Sequence, residues 1–152
     1  MKIMDPPRGP ERRKADVLAR LESELDIWVA SASADGTPCL VPLSFVWHDG
    51  ALWLSTVATN PTGRNLRDTG RARLALGHTR DVVIIDGAVE TFTAAGVPAA
   101  AAEAFQRRTG WDPRGSGKPY AYFQVRPESV QAWHEERELK GRHIMRDGAW
   151  VV

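Results

Sequence analysis

A polar turn near the middle of the chain carries the residue types and spacing that could do chemistry. It follows the apolar segment ALWLSTV and presents hydroxyl, amide and guanidinium groups on Thr59, Asn60, Thr62, Arg64 and Asn65. Such donors at a sheet edge are suited to hold a phosphate. The same residues could instead form a loop before a capped helix, with Asn60 or Thr62 as the cap and Arg64 in solvent. The residues alone leave both interpretations open.

Other catalytic chemistries find little support. The sequence has no P-loop, GxGxxG, HExxH, CxxC or GxSxG motif. The histidines His48, His78, His134 and His143 lack the spacing of metal ligands, so no metal site is predicted. Cys39 falls on a predicted apolar strand face, where we expect an inert thiol. We therefore name no catalytic residue.

Two predicted strands lead into the polar turn. The strand that begins at Pro38 has apolar residues at its odd positions, and it meets ALWLSTV at an Asp49-Gly50 hairpin turn. Pro42 interrupts this first strand. Because proline cannot donate a ladder hydrogen bond, Pro42 should lie at an edge, at a bulge, or where a barrel opens.

The remaining patterns predict an antiparallel barrel of five or six strands with a helix near the start and another late in the chain. After the polar turn, about one helical turn should end at Gly70, and Gly87 should mark a bulge or a sharp bend. The other predicted elements are helices at 11–25 and 97–108, strands at 27–33, 72–78, 81–93, 120–127 and 129–133, and an Asp147-Gly148 turn.

Length and composition bound the class of protein. The 152 residues suit one domain, and we expect a flexible leader at 1–10 before a single domain at 11–152. Twenty basic against nineteen acidic residues give a net charge of +1, which does not favour nucleic acid. The chain lacks a long apolar run and a signal sequence and has one cysteine, so we expect no membrane contact and a cytoplasmic location.

Aromatic residues have a structural interpretation. Trp28, Trp47 and Trp53 lie in predicted strands and are expected to fill the core or an interface.

The apolar cluster at 150–152 is expected to be a docking surface, for example for a second protomer. The segment GWDPRGSGKP at 110–119 is a long loop that could act as a lid or as a simple link.

Four segments together resemble one known family. They are DGTPCLVPLSFVWHDGALWLST, RNLRDTGRARLAL, IDGAVE and YFQVRPESVQAW. Their order and spacing are similar to those of the pyridoxamine 5′-phosphate oxidase-like proteins, and the match runs from about Lys14 to Trp133. The resemblance implies a mainly β (α+β) fold, an antiparallel split β-barrel of about six strands with two flanking helices. It also implies a homodimer that binds FMN or the deazaflavin F420 at its interface.

The resemblance also implies where the cofactor binds. The ring and ribityl chain would lie against Val41, Pro42, Leu43, Ser44, Ser55, Thr56 and Val57. The phosphate would be held by Asn60, Thr62, Arg64 and Asn65, and Trp133 with the tail behind it would approach the partner's site. Thr62 stands where many relatives have lysine. The loss of one charge-assisted contact costs about 1.5–3 kcal/mol.

The expected function is that of an oxidoreductase that moves a hydride between a small organic substrate and FMN or F420. The two cofactors are not separable from sequence. Only F420 carries an acidic tail, for which Arg67, Arg71 or Arg73 could supply a basic groove. The alternative is a non-catalytic split barrel that stores or senses a ligand such as flavin or haem, or that has lost its cofactor. Thr62 favours that alternative.

Overall fold

The structure is a computed structural model that describes residues 5–152. Its β-strands are more numerous than its helices and contain more of the residues, as the sequence predicts. The helices are α1 (Pro10–Ser23), α2 (Pro61–Thr69) and α3 (Ala99–Thr109). The strands are β1 (Asp26–Ala32), β2 (Pro38–His48), β3 (Ala51–Val57), β4 (Arg71–Ala75), β5 (Asp81–Thr93), β6 (Tyr120–His134), β7 (His143–Arg146) and β8 (Ala149–Trp150). Short 3-10 turns occupy Pro113–Gly115, within the predicted loop, and Glu136–Glu138.

Six antiparallel strands close a barrel in the order β2-β1-β4-β5-β6-β3, and β3 returns to pair with β2. The predicted barrel is therefore confirmed. Strands β7 and β8 extend the sheet beyond β6. They form a hairpin around the predicted turn, in which Asp147 and Gly148 have φ values of 52° and 78°. These positive values suit a two-residue hairpin turn.

The segment predicted as two strands at 120–127 and 129–133 is one strand, β6. The register between β5 and β6 shifts at this point: Asp86 pairs with Ser129 and Gly87 pairs with Pro127, so Glu128 is an extra residue on β6. The irregularity predicted at Gly87 is thus confirmed in place, although the extra residue lies on β6 and not on the strand that contains the glycine. A Cβ at that position would lie 2.6 Å from the Arg126 carbonyl oxygen, so only glycine fits without movement.

The barrel interior is apolar and closely packed. Alternate residues of the six strands fill it, among them Val29, Phe45, Leu54, Ile85 and Phe123. Helix α1 contributes Val17 and Leu21 to the same core. Helix α3 covers a second cluster on the outside of the barrel wall, formed by residues that include Val46, Trp53, Phe105 and Tyr122.

The chain ends are tied together by buried ion pairs. Glu138 is 1% exposed, and its carboxylate accepts from the backbone N–H of Arg8 at 2.8 Å and from the Arg8 guanidinium at 2.8 Å. The buried Arg13 donates to the carbonyl oxygens of Ala132 and Lys140. Part of the expected leader, residues 1–4, lies outside the described residues. From Arg8 onward the leader belongs to the folded domain, and α1 already begins at Pro10.

The Glu138 carboxyl makes stability depend on pH. Burial by itself raises its pKa, but the hydrogen bonds from Arg8 and from the His134 backbone outweigh burial and lower the pKa from 4.5 to about 2. Because the pKa is lower in the folded state, ionised Glu138 contributes to the free energy of unfolding above pH 4.5. This contribution is lost as the pH falls toward 2.

We therefore expect Glu138→Gln to lower the free energy of unfolding at pH 7 by about 3 kcal/mol, because buried arginine charges lose their partner. The exposed Glu136→Gln is the matched control and should change it by less than about 0.5 kcal/mol. Urea denaturation at pH 7 and at pH 3 measures both. Equal effects of the two substitutions would contradict a stabilising role for the buried pair.

Candidate functional site

The barrel wall is open between β2 and β3. Their ladder ends at the pair Phe45 and Leu54. Beyond it, residues 38–44 of β2 pair only with β1, and residues 55–57 of β3 pair only with β6. We call this opening the split. The two segments that sequence analysis assigns to a ring site therefore flank a single opening, one on each side.

Within residues 5–152, one side of the split presents backbone groups that no other strand pairs with. The Phe45 N–H donates to the Leu25 carbonyl oxygen at 3.0 Å, on the β1 side. Backbone N–H groups point alternately to the two sides of an antiparallel strand. The backbone nitrogens of Leu40, Pro42 and Ser44 therefore face the split. Leu40 and Ser44 offer N–H donors there. Pro42 has no N–H, so it leaves no donor without a partner at the split. Its predicted place where the barrel opens is confirmed.

The β2 side chains at the split are mainly apolar. Val41 and Leu43 are half-buried and pack against the barrel core. Pro42 is exposed on the outer face, where it lies opposite Trp28 of β1. The Ser44 hydroxyl donates to Asp26 at 3.0 Å. This side of the split therefore combines an apolar surface with backbone donors.

The β3 side contributes little side-chain polarity. Ser55 is buried and its hydroxyl donates to the Ala121 carbonyl oxygen at 2.9 Å. Thr56 is buried as well and accepts from the Asn60 amide at 2.8 Å. Both hydroxyls are thus engaged within the protein. Val57 is half-buried at the end of the strand.

The polar turn is a capped helix. Helix α2 spans Pro61–Thr69, longer than the single turn expected from the sequence, and it ends at Gly70 in the left-handed region. The Asn60 side chain caps it by accepting from the Gly63 N–H at 2.7 Å. Asparagine at the cap followed by proline at the first helical position is a signal that the sequence contained. The capped-helix interpretation is confirmed.

The other three residues that were predicted to hold the phosphate also have hydrogen-bond partners in the protein. Thr62 is 2% exposed, and its hydroxyl lies 3.4 Å from the Cys39 sulfur. The Asn65 amide donates to the Ser31 hydroxyl at 3.2 Å. Arg64 is exposed and donates to the Thr59 carbonyl oxygen at 2.6 Å. Only Arg64 displays its polar group to solvent.

A cleft of about 600 Å³ lies beside α2, between the helix and the β1–β2 turn. Cys39 lines it and is half-buried next to Thr62, so the prediction of a core thiol is wrong. The cleft contains the cation of Arg64 and the carboxylate of Asp68. Its net formal charge is therefore close to zero.

The outer face of β1 and β2 exposes large apolar side chains. Leu40 is 62% exposed and Trp28 is 42% exposed, so Trp28 is not a core residue of the single chain. Trp53 is buried in the cluster under α3, whereas Trp47 is half-buried. Ala30 lies directly opposite Leu40, which makes this face a continuous apolar surface.

The arginines considered for a basic groove are all ion-paired. Arg73 binds both carboxylate oxygens of Asp86, at 2.6 and 2.9 Å. Arg71 contacts Glu128 at 3.3 Å. Arg67 contacts its neighbour Asp68 at 2.9 Å. Arg71 and Arg73 do line a groove of about 440 Å³ on the outer face.

Trp133 lies away from α2 in the single chain. It pairs with Val82 near the end of β6. The opposite end of β6 begins at Tyr120, which pairs with Val57 at the split. The thirteen residue steps from Tyr120 to Trp133 extend over roughly 40 Å of strand. Within the single chain, Trp133 and the split therefore lie toward opposite ends of β6.

Residues 5–152 contain no group of three or more His, Cys, Asp and Glu side chains that could hold a metal ion. Within the same range, no helix is long and apolar enough to cross a membrane.

The closed six-strand barrel with an opening between β2 and β3 defines a split β-barrel protein. The family model described as pyridoxamine 5′-phosphate oxidase matches residues 14–134, and the chain belongs to that family. The sequence prediction of the family is thereby confirmed. Comparison with curated proteins finds no significant match.

Solved structures share the fold at low sequence identity. The conserved hypothetical protein Rv2991 from Mycobacterium tuberculosis is 18% identical, with a TM-score of 0.63 over 90% of this chain and 91% of that one. The haem storage protein HutZ from Vibrio cholerae is 13% identical, with a TM-score of 0.66 over 79% and 94%. An F420 reductase is 18% identical, with a TM-score of 0.60 over 74% and 93%.

The capping role of Asn60 can be tested by substitution. Asn60→Ala removes the acceptor for the Gly63 N–H and should lower the free energy of unfolding by about 1 kcal/mol. Asn60→Asp keeps a capping oxygen, and its second oxygen can accept from the Thr56 hydroxyl that the Asn60 amide contacts at 2.8 Å, so it serves as the control, with a loss of less than about half that value. Urea denaturation measures both. An alanine variant as stable as the parent would show that the cap does not stabilise α2.

Proposed function

We propose that this protein is a homodimeric oxidoreductase that binds the ring of a flavin or deazaflavin, FMN or F420, at the split. The observation that carries the proposal is the open wall between β2 and β3. It combines the apolar side chains of Val41 and Leu43 with the backbone donors of Leu40 and Ser44. A ring site needs this combination, because a flavin has an apolar body and a polar edge.

The residues at the split fit such a ring. The N–H groups of Leu40 and Ser44 would bond to its carbonyl or nitrogen acceptors, and Val57 would add apolar contact from the β3 side. When bound, the cofactor supplies hydride transfer, and the chain supplies orientation and exclusion of water. This division of labour agrees with the lack of an acid–base constellation in the sequence. The substrate would be a small organic molecule.

The proposed homodimer rests on the outer apolar face. Trp28, Leu40 and Pro42 are exposed side by side on β1 and β2, next to the split. Exposed apolar patches on this scale are typical of interaction sites. A partner packed there would cover the split from outside. It would also allow the partner's Trp133 to reach the site, which the chain's own Trp133 does not approach.

The second candidate is a non-catalytic protein that stores or senses a ligand, such as flavin or haem, or that no longer binds a cofactor. It is favoured by the neutral Thr62 and by the shared fold of the haem storage protein. His143 would be the first residue to test as an iron ligand. Burial, followed by the nearby Arg146 and Arg142, lowers the pKa of this imidazole and favours the neutral form that binds iron.

Ligand titration separates a flavin-type ligand from haem. We expect quenching of FMN or F420 fluorescence with a dissociation constant near 10 µM, about −7 kcal/mol. Parallel titration with haemin, followed by its Soret band, tests the second candidate, with His143→Ala as the variant and the exposed His78→Ala as the control. Absence of quenching by either FMN or F420 up to about 100 µM, about −5.5 kcal/mol, would refute the first proposal.

A charge on the outer face tests the dimer. Leu40→Glu places a carboxylate where two apolar surfaces would meet and should dissociate the dimer at micromolar concentration in analytical ultracentrifugation. Gln106→Glu, on the exposed side of α3, introduces a carboxylate away from that face and should leave the dimer intact. Val152→Glu tests the C-terminal cluster as the alternative interface. A parent protein that sediments as a monomer would contradict the dimer itself.

A further inference from the structure

The phosphate end of the proposed ligand has few contacts available to it. This inference rests on the proposed ring site and concerns the residues beyond it. Asn60 uses its amide for Thr56 and its carbonyl for the α2 cap. Thr62 faces Cys39, and Asn65 donates to Ser31. Three of the four residues expected at a phosphate are thus committed to the fold.

The N-terminus of α2 adds little. Pro61 has no N–H, and the Gly63 N–H donates to the Asn60 side chain. The Arg64 N–H donates to the Asn60 carbonyl oxygen at 2.9 Å. Only the Thr62 N–H of the first turn is without such a partner among the described residues. A single backbone N–H cannot satisfy the three terminal oxygens of a phosphate, each of which accepts hydrogen bonds.

The charge in the cleft does not favour a dianion. Arg64 is its single cation, and Asp68 lines the same cleft. Part of the Arg64 guanidinium already binds the Thr59 carbonyl oxygen. The Asp68 carboxylate, paired with Arg67 at 2.9 Å, supplies no attraction for a phosphate, whereas an uncharged polyol needs none.

We infer that this protein recognises its ligand by the tricyclic ring and not by a terminal phosphate. Its ligand class therefore includes uncharged flavin nucleosides, for which riboflavin is the probe, bound about as tightly as FMN. The contact between Thr62 and Cys39 is the structural basis, because it places two neutral groups where a charge-assisted donor would be needed. The ring surface at the split is unaffected by it.

Titration of the same preparation with riboflavin and FMN tests the inference. The two dissociation constants should agree within about threefold, less than 1 kcal/mol. Raising NaCl from low to high concentration should leave both unchanged, since no exposed ion pair would be screened. FMN binding that is tenfold tighter than riboflavin, or that weakens selectively with salt, would overturn the inference and leave the proposed function standing. Binding of neither ligand would overturn the inference, and the F420 titration would then decide separately whether the proposed function stands.

Substitution at Thr62 locates the phosphate end. Thr62→Lys adds the missing cation and should tighten FMN about tenfold relative to riboflavin, the effect of one charge-assisted contact. Inorganic phosphate should then compete with FMN in this variant and not in the parent. Thr62→Met has a similar stem without charge and is the matched control. Thermal unfolding verifies that both variants are folded. Equal changes for both ligands in a folded Thr62→Lys variant would overturn the placement of the phosphate end beside Thr62.

Discussion

The divergence of β2 from β3 after the pair Phe45 and Leu54 is the constraint on which the rest of the structure depends. A barrel that opens there must be closed elsewhere, and the long strand β6 does this by pairing with both β3 and β5. Helix α2 then packs at the end of the opening. Gly63 permits that approach, because a Cβ would lie 2.5 Å from the Val57 carbonyl oxygen.

A second constraint holds the two ends of the chain at the far end of β6. The buried carboxylate of Glu138 accepts from Arg8 and from the His134 backbone, so the leader is fastened next to Trp133. Removing one partner from such a pair leaves a buried charge unsatisfied, so the loss of either partner should lower the free energy of unfolding. The position of Trp133 therefore depends on residues more than a hundred positions earlier in the chain.

Several polar residues that suit ligand binding serve the fold instead. Asn60 caps α2, and the Ser55 hydroxyl satisfies a strand carbonyl of β6. Amides and hydroxyls are equally able to bond with a ligand or with nearby backbone, and burial makes the internal bond obligatory. Residue type alone does not distinguish these roles. The apolar and backbone character of the split is consequently the stronger evidence for a binding site.

The sequence by itself determined the barrel, because alternating apolar residues, Asp-Gly turns and the glycine at position 87 are local signals with local causes. It also placed Pro42 at an opening, since a missing N–H is a property of one residue. Only the tertiary structure decided that Thr62 faces Cys39 and that Trp28 is exposed. Those outcomes depend on which side of a helix or strand meets another element, and no local pattern encodes contacts between segments distant in sequence.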